Sequence, residues 1–371
     1  MATMNDCTHF DLPPDLTEPD VVQAAIELGF VTEEEVQAVR ELQVREARQD
    51  VYRSLVQGLV ESGKLTLGQW QRLAQQLAAP DQPLAPPGYR FLRQAGQGSM
   101  STVHLAVHDR LSRHVAVKIL ARRFTRDKRY VDRFLYEAKL GAQTVSLHLP
   151  RVYDVGQAHG QHFMVMEYVE GDSVFDQMTA GKQFSTGDVI DLIVEVATAL
   201  EHLHSMSIIH RDVKPHNIVI SKSGQVKLMD LGLALKLDEG KRTFADGDSA
   251  VGTPHYISPE QIRGQPTVGP RSDLYSLGAT MYHLLTGRPP FNDTQAAQVM
   301  QAQLTQIPIP PGQIVPDLPR SIDRLVMCLL EKDPKLRLSS AERLRQELLW
   351  IEAQLDPASA RLKRGVVGLG A

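Results

Sequence analysis

The sequence predicts an α+β chain in which a small all-α module precedes a larger unit that opens with strands. Three observations predict it. The first 86 of the 371 residues hold fourteen acidic and six basic side chains, while the remaining 285 carry a slight positive excess within an overall charge of −4. Four prolines fall between Ala79 and Gly88, a composition that favours an extended spacer over a helix. Finally, the apolar period is helical before that spacer and becomes a two-residue alternation after it.

Residues 1–79 read as about four helices and residues 80–88 as a linker. Thr17-x-x-Asp20, Thr32-x-x-Glu35 and Thr66-x-x-Gln69 have the form of capping boxes, in which the threonine and the third residue beyond it serve each other's backbone N–H. Val36, Val39 and Leu42 recur at helical spacing, as do Leu55 and Leu59. There is an internal repeat: Glu27-Leu28-Gly29-Phe30-Val31-Thr32 resembles Glu61-Ser62-Gly63-Lys64-Leu65-Thr66, 34 residues later. Each copy predicts a helix ending at glycine, a turn, and a threonine cap on the next helix. Two copies are too few for a solenoid, so a small bundle is the expected arrangement. Nothing in it resembles a catalytic site. We read it as a docking module for a partner, against the plainer reading of a folding appendage.

Composition excludes several classes. The near-balance of charge excludes an overall basic nucleic-acid binder. Two cysteines, Cys7 and Cys328, make no disulfide framework and suit a reducing, cytoplasmic setting. No apolar run approaches the roughly 20 residues of a membrane span, and the first ten residues lack the order of a signal peptide. The basic run Arg122, Arg123, Arg126, Lys128, Arg129 and Arg133 reads as a solvated face. His202 and His204 read as helix-surface residues rather than metal ligands. The tail, residues 357–371, reads as flexible.

After the linker, Tyr89-Arg90-Phe91-Leu92-Arg93 leads into Gly96-Gln97-Gly98-Ser99-Met100-Ser101, and Thr102-Val103-His104-Leu105-Ala106-Val107 alternates like a strand. A dinucleotide fingerprint requires a helix after its glycines. A strand there predicts instead a hairpin whose tip can fold over phosphates. The next strand, His114-Val115-Ala116-Val117-Lys118-Ile119-Leu120, carries one lysine that wants an anionic partner. Phe134-Leu135-Tyr136-Glu137-Ala138 lies on a helix and offers Glu137. The densest chemistry is His210-Arg211-Asp212-Val213-Lys214-Pro215-His216-Asn217, followed by the short strands Ile218-Val219-Ile220 and Val226-Lys227-Leu228-Met229 and by Asp230-Leu231-Gly232. Asn217 and Asp230 thereby place two hard oxygen donors at the ends of adjacent strands, suited to Mg²⁺ bound with nucleotide phosphates.

With these blocks in order, the stretch from Tyr89 to Gln354 resembles a eukaryotic-type protein kinase, closest to bacterial serine/threonine protein kinases. The resemblance implies a bilobal fold: a β-rich N-lobe and hinge over 89–169 and a helical C-lobe over 170–356. It implies ATP and Mg²⁺ as cofactors, Mn²⁺ as a substitute, and proteins with Ser/Thr hydroxyls as substrates. Gly96 and Gly98 shape the loop over the phosphates; Lys118 binds phosphate and pairs with Glu137. Val103, Ala116 and Val219 sandwich the adenine, Met166 is the gatekeeper, and the backbone of Glu167 and Val169 bonds the base. Asp212 orients the hydroxyl and accepts its proton, Lys214 steadies the transferring group, and Asn217 with Asp230 holds the metal. His210 and Gly232 are structural, as are Glu260, which pairs with Arg337 beneath the substrate platform, and Asp273, which holds the catalytic-loop backbone. Arg211 implies a switch by activation-segment phosphorylation, with Thr243, Ser249 and Thr253 as candidates, and self-phosphorylation makes a homodimer a further partner. Three positions depart from the pattern: Ser101 for glycine, Leu231 for phenylalanine and Ser258 for alanine. The alternatives are a pseudokinase-like scaffold, opposed by the intact set of charged residues, and a small-molecule phosphotransferase, opposed by Lys214 and the 252–260 platform.

Overall fold

The computed structural model describes residues 18–27, 29–47, 54–70, 73, 83–98, 100–232, 234–236 and 254–355. The cap at Thr17, the candidate phosphosites Thr243, Ser249 and Thr253, and the tail at 357–371 lie outside them. Two units divide the chain, Met1–Phe134 with Tyr153–Met166, and Leu135–Val152 with Glu167–Ala371.

The first unit opens with α1 (Glu18–Glu27), α2 (Glu33–Ala47) and α3 (Leu55–Glu61), followed by a helical stretch at 67–70. Their apolar stripes close on one core that includes Val21, Ala25, Val39, Leu59, Trp70 and Leu73. The two copies of the internal repeat share their turn geometry. Gly29 and Gly63 both have φ of +69°, the left-handed conformation that ends a helix at low steric cost. Phe30 N donates to Ala25 O and Lys64 N to Leu59 O, each at 2.9 Å. The two boxes also form: Thr32 N donates to Glu35 Oε2 and Glu35 N to Thr32 Oγ1, while Thr66 N donates to Gln69 Oε1 and Gln69 N to Thr66 Oγ1.

The same unit holds a five-stranded sheet in the order β1-β2-β3-β5-β4: β1 (Tyr89–Gln97), β2 (Ser101–His108), β3 (Arg113–Leu120), β4 (Val152–Ala158) and β5 (Gln161–Glu167). β2 pairs antiparallel with both neighbours. Ala106, Val115, Val117, Ile119, Phe163 and Val165 pack into its core. The chain after the glycines is thus a strand, as its alternation requires. Between β3 and β4 runs α4 (Lys128–Gln143), whose residues from Leu135 on, Glu137 among them, belong to the second unit.

In the second unit β6 (Gly171–Ser173) leads into the short α5 (Val174–Thr179), which Ser173 caps. α6 (Thr186–Ser205) buries Val189, Ile193, Val196, Leu200 and Leu203, a four-three spacing that keeps one stripe against the core. Its start is fixed by a capping box between Ser185 and Asp188. β7 (Ile208–Ile209) comes next and pairs antiparallel with Leu235–Lys236. α8 (Pro270–Thr286) is buried on every side from Ser272 to Tyr282, the mark of a helix at the centre of its unit. α10 (Arg320–Leu329) and α11 (Ala341–Leu355) complete the core. No helix among the described residues is long and apolar enough to cross a membrane.

Helices α2 and α3 approach so closely that a Cβ on Gly58 would lie 2.7 Å from Val39 Cγ1. The gain in helix propensity from replacing glycine, about 1 kcal/mol, is outweighed if the new side chain is large. Gly58→Leu is expected to destabilise the helical module by about 1–3 kcal/mol. Denaturant titration followed by Trp70 fluorescence measures it.

Candidate active site

Within the first unit lie one sheet face and a hairpin tip that carry candidate residues. β1 places Gly96 opposite Val103, and Gly98 N donates to Ser101 O at 2.8 Å, closing the turn. Across β2 and β3, Val103 faces Lys118 and Leu105 faces Ala116. The strand period therefore puts Val103, Ala116 and Lys118 on one side of the sheet. Met166 is buried near the end of β5.

The second unit gathers the acid, the amide and the second cation. Asp212 Oδ2 accepts from Lys214 Nζ at 2.8 Å and from Asn217 Nδ2 at 2.9 Å, and Asn217 Nδ2 also reaches Asp212 O at 2.8 Å. A 3₁₀ turn over Pro215–Asn217 brings these groups back to Asp212. Because both amide protons of Asn217 are spent on Asp212, its side-chain oxygen is the atom left to meet a cation. β8 (Ile218–Ser221) and β9 (Val226–Leu228) pair antiparallel, Ile218 opposite Leu228 and Val219 opposite Lys227. Met229 N donates to Asn217 O at 2.7 Å, which ties the start of β8 to the approach to Asp230. Asp230 itself is exposed and left-handed, with φ +64°, and its Oδ1 accepts from Gly232 N at 3.1 Å. Two hard oxygens on short, tied strand ends are a fit for Mg²⁺ or Mn²⁺. Gly232 also has a steric reason: a Cβ there would stand 3.0 Å from Asp230 Oδ1 and 3.2 Å from Glu137 Oε2. The carboxylate of Glu137, on α4, thus lies against the Asp230–Gly232 turn.

The backbone carrying Asp212 is held from behind. Asp273, without exposed surface on α8, accepts from His210 N at 2.9 Å, Arg211 N at 2.8 Å and His204 Nε2 at 2.8 Å. His210 Nε2 donates to Met229 O at 3.0 Å, and its Nδ1 accepts from Asp212 N at 3.3 Å. A carbonyl can only accept and a backbone N–H can only donate, so these partners set the tautomer. Arg211 sits at φ +68°, a strained position for a side chain, held by Asp273 and by Gln261 Nε2, which donates to its carbonyl at 2.9 Å.

At the end of β5, Glu167 N donates to Arg151 O at 2.8 Å. Its carboxylate accepts from Lys227 Nζ at 3.1 Å, and Lys227 also donates to Leu149 O. Lys227 is 4 % exposed, a buried cation that strand alternation alone did not mark. Val169 and Val219 are half-buried.

Further along, α7 (Pro259–Ile262) begins at Ser258. The hydroxyl of Ser258 donates to Gln261 Oε1 at 2.7 Å, so the departure from alanine supplies a partner for Gln261. Glu260 and Arg337 form a two-pronged pair at 2.7 and 2.9 Å with almost no exposed surface, and Ser272 Oγ donates to Glu260 as well. Burial pushes the Glu260 carboxyl up, but the hydrogen bonds and charge of Arg337, helped by Ser272, outweigh it and hold the group below the usual range.

The protein kinase domain family matches residues 89–349 of this sequence. The chain belongs to that family. It is 38% identical over 275 residues to a probable serine/threonine-protein kinase, PknB, of Bifidobacterium longum, covering 72% of this chain and 40% of that protein. It is 37% identical over 271 residues to the serine/threonine-protein kinase PknB of Mycolicibacterium smegmatis (72% and 43%). With the serine/threonine-protein kinase PrkC of Bacillus subtilis it shares 33% over 260 residues (70% and 40%). The match spans about two fifths of the length of these relatives. In kinase terms the five-stranded sheet is the N-lobe and the helical second unit the C-lobe.

The kinase C-lobe corrects one reading. His204 is not a surface residue of its helix: its side chain is 10 % exposed and is bonded to Asp273. A histidine on a polar-looking helix position gave no local sign of a partner 69 residues away.

Two measurements test this site. Arg337→Met leaves Glu260 buried without its cation and is expected to cost about 3–5 kcal/mol, read as a drop in denaturation midpoint. The second concerns His283, whose Nδ1 lies 2.7 Å from the Tyr256 hydroxyl. Burial raises the Tyr256 phenol, so it stays protonated and donates. Burial first, then the neighbouring His255 and His216, lower the His283 imidazole from 6.5 to about 4. Between those two values the unfolded chain takes a proton that the native one refuses. Stability is therefore full above about pH 6.5, falls by about 2 kcal/mol on acidification after discounting for solvent screening, and levels off below about pH 4. Denaturation curves of the wild type and His283→Phe should differ in slope across that window.

Proposed function

We propose that this chain is an ATP- and Mg²⁺-dependent protein serine/threonine kinase that transfers the γ-phosphoryl group to Ser/Thr hydroxyls. The observation that carries the reading is the convergence of Lys214 and Asn217 on Asp212, with Asp230 tied to the same strand ends. A hydroxyl meeting Asp212 is oriented by its carboxylate, which accepts the proton as the oxygen attacks. Lys214, already beside that carboxylate, moves onto the charge that builds on the transferred group. Asn217 offers its oxygen and Asp230 its carboxylate to the metal. Bound Mg²⁺ supplies neutralisation of the phosphate oxygens. Lys118, from the sheet face it shares with Val103 and Ala116, would grip the α- and β-phosphates and pair with Glu137 when the site is active. Gly96 and Gly98 let the hairpin backbone approach them, and Met166, Glu167, Val169 and Val219 frame the adenine. Such a scheme works by positioning and charge, with little covalent chemistry for the protein to do.

The chain is proposed to divide into a helical module (1–79), linker (80–88), N-lobe with hinge (89–169), C-lobe (170–356) and tail (357–371). The acidic module docks a partner, Arg211 receives an activation-segment phosphate on Thr243, Ser249 or Thr253, and a pair of chains performs that transfer. The scarcity of cysteine supports a cytoplasmic setting.

Full-length protein incubated with γ-labelled ATP and Mg²⁺, beside Asp212→Asn, tests the reading. Transfer to itself or to a basic test protein is expected in the wild type and reduced by about a hundredfold or more in the variant. ATP binding without transfer in the wild type would overturn it, and label in the 243–253 peptide would identify the switch.

A further inference from the structure

The C-lobe contains a hydrogen-bonded chain that ends on the activation segment and packs against Arg337 of the Glu260–Arg337 pair. Gln303, on α9 (Ala296–Thr305), has no exposed surface. Its Nε2 donates to Pro254 O at 3.2 Å and to His255 O at 2.9 Å. Its Oε1 accepts from the hydroxyl of Tyr275, a fully buried residue of α8. That hydroxyl in turn accepts from Lys332 Nζ at 3.1 Å. Lys332 lies 4.5 Å from the centre of the Phe291 ring, and Arg337 stands over the Tyr275 ring at 4.7 Å.

The direction of every proton in this chain comes from chemistry. An ammonium donates and cannot accept, so Tyr275 receives from Lys332 and must give its own proton to Gln303. The Gln303 amide is then unable to flip, because its oxygen is fixed toward Tyr275 and both N–H bonds are aimed at the two carbonyls. Because Gln303 and Tyr275 are fully buried, the bonds between them and to the two carbonyls are costly to lose. The two carbonyls are the last of the activation segment before Tyr256 and Ser258, where the chain turns into α7.

We propose that Gln303 is a positioning residue for the protein substrate: oriented by Tyr275 and Lys332, it holds the substrate-facing end of the activation segment in register with the catalytic loop. This rests on the kinase reading above, since the substrate it serves is a peptide hydroxyl.

The test uses the full chain and three variants: Gln303→Met, which keeps length and apolar volume; Tyr275→Phe, which removes only the hydroxyl; and the double variant. Gln303→Met is expected to raise KM for a peptide substrate about tenfold, leaving kcat and the KM for ATP within about twofold. Tyr275→Phe should show a smaller rise, and the double variant no more than Gln303→Met, because the two act through one chain. An unchanged peptide KM overturns the proposal. So does a joint loss of kcat, ATP affinity and melting temperature, which would mark Gln303 as general scaffolding. Hydrogen exchange gives a readout independent of phosphotransfer. Amides at 255–258 should exchange about tenfold faster in Gln303→Met while 274–282 keep their protection, and equal exchange at 255–258 overturns the proposal. If Gln303→Met fails to fold, the same exchange comparison on Tyr275→Phe decides. A wild type that transfers nothing would sink the kinase reading, and the exchange data would still judge Gln303.

Discussion

A carboxylate with no exposed surface has to have its lone pairs served by the protein, and Asp273 has three donors on its two oxygens. Two of them are consecutive backbone N–H groups, His210 and Arg211, and that geometry is available only if the chain turns sharply between them. Arg211, the second of them, sits at φ +68°. Removing the carboxylate would leave the part-buried N–H of Arg211 and the buried N–H of His210 without this partner, the latter alone a cost of about 1–3 kcal/mol. The next residues of the chain inherit the constraint. Asp212 emerges next to the turn, its N–H is claimed by His210, and its side chain is met by Lys214 and Asn217. The most central helix of the C-lobe thus sets where Asp212 points.

Around that anchor, buried polar groups are connected rather than isolated. Gln261 joins Ser258 to the Arg211 carbonyl, Ser272 joins Glu260 to α8, and Arg337 spends further donors on the carbonyls of Arg271 and Glu331. In a low-dielectric interior a half-satisfied network is worse than none, so these residues stand or fall together. Lys227 plays a comparable part: a buried ammonium meets the carboxylate of Glu167, at the end of β5, and the Leu149 carbonyl.

How much could be read from the sequence depends on the range of the physics involved. The hairpin at Gly96–Ser101 was legible because two-residue alternation in β2 is a local signal, and it alone distinguishes a strand from the helix of a dinucleotide site. The caps at Thr32 and Thr66 were legible because donor and acceptor lie three residues apart. The cluster from Asp212 to Asn217 is contiguous, so the residues that bond one another there could be singled out together before any fold was known. His204, Lys227 and Gln303 were not legible. Their partners lie between about 30 and 80 residues away, and a polar side chain in a helix or strand looks like surface until the neighbouring element is placed. Ser258 was seen only as a departure from a pattern, and its reason, Gln261, depends on the geometry of the short helix.

The duplicated joint of the helical module has one asymmetry. The first copy is closed by Glu35 and the second by Gln69, and Lys64, from the second turn, lies 3.4 Å from Glu35 Oε1 in the first. The backbone N–H of Thr32, with Lys64 beside it, keeps the Glu35 carboxyl below its ordinary range. One joint therefore carries an ionisable clasp and the other a neutral one of the same shape, 34 residues apart in a single chain. Acid or salt loosens only the first, and the second serves as an uncharged reference within the same molecule.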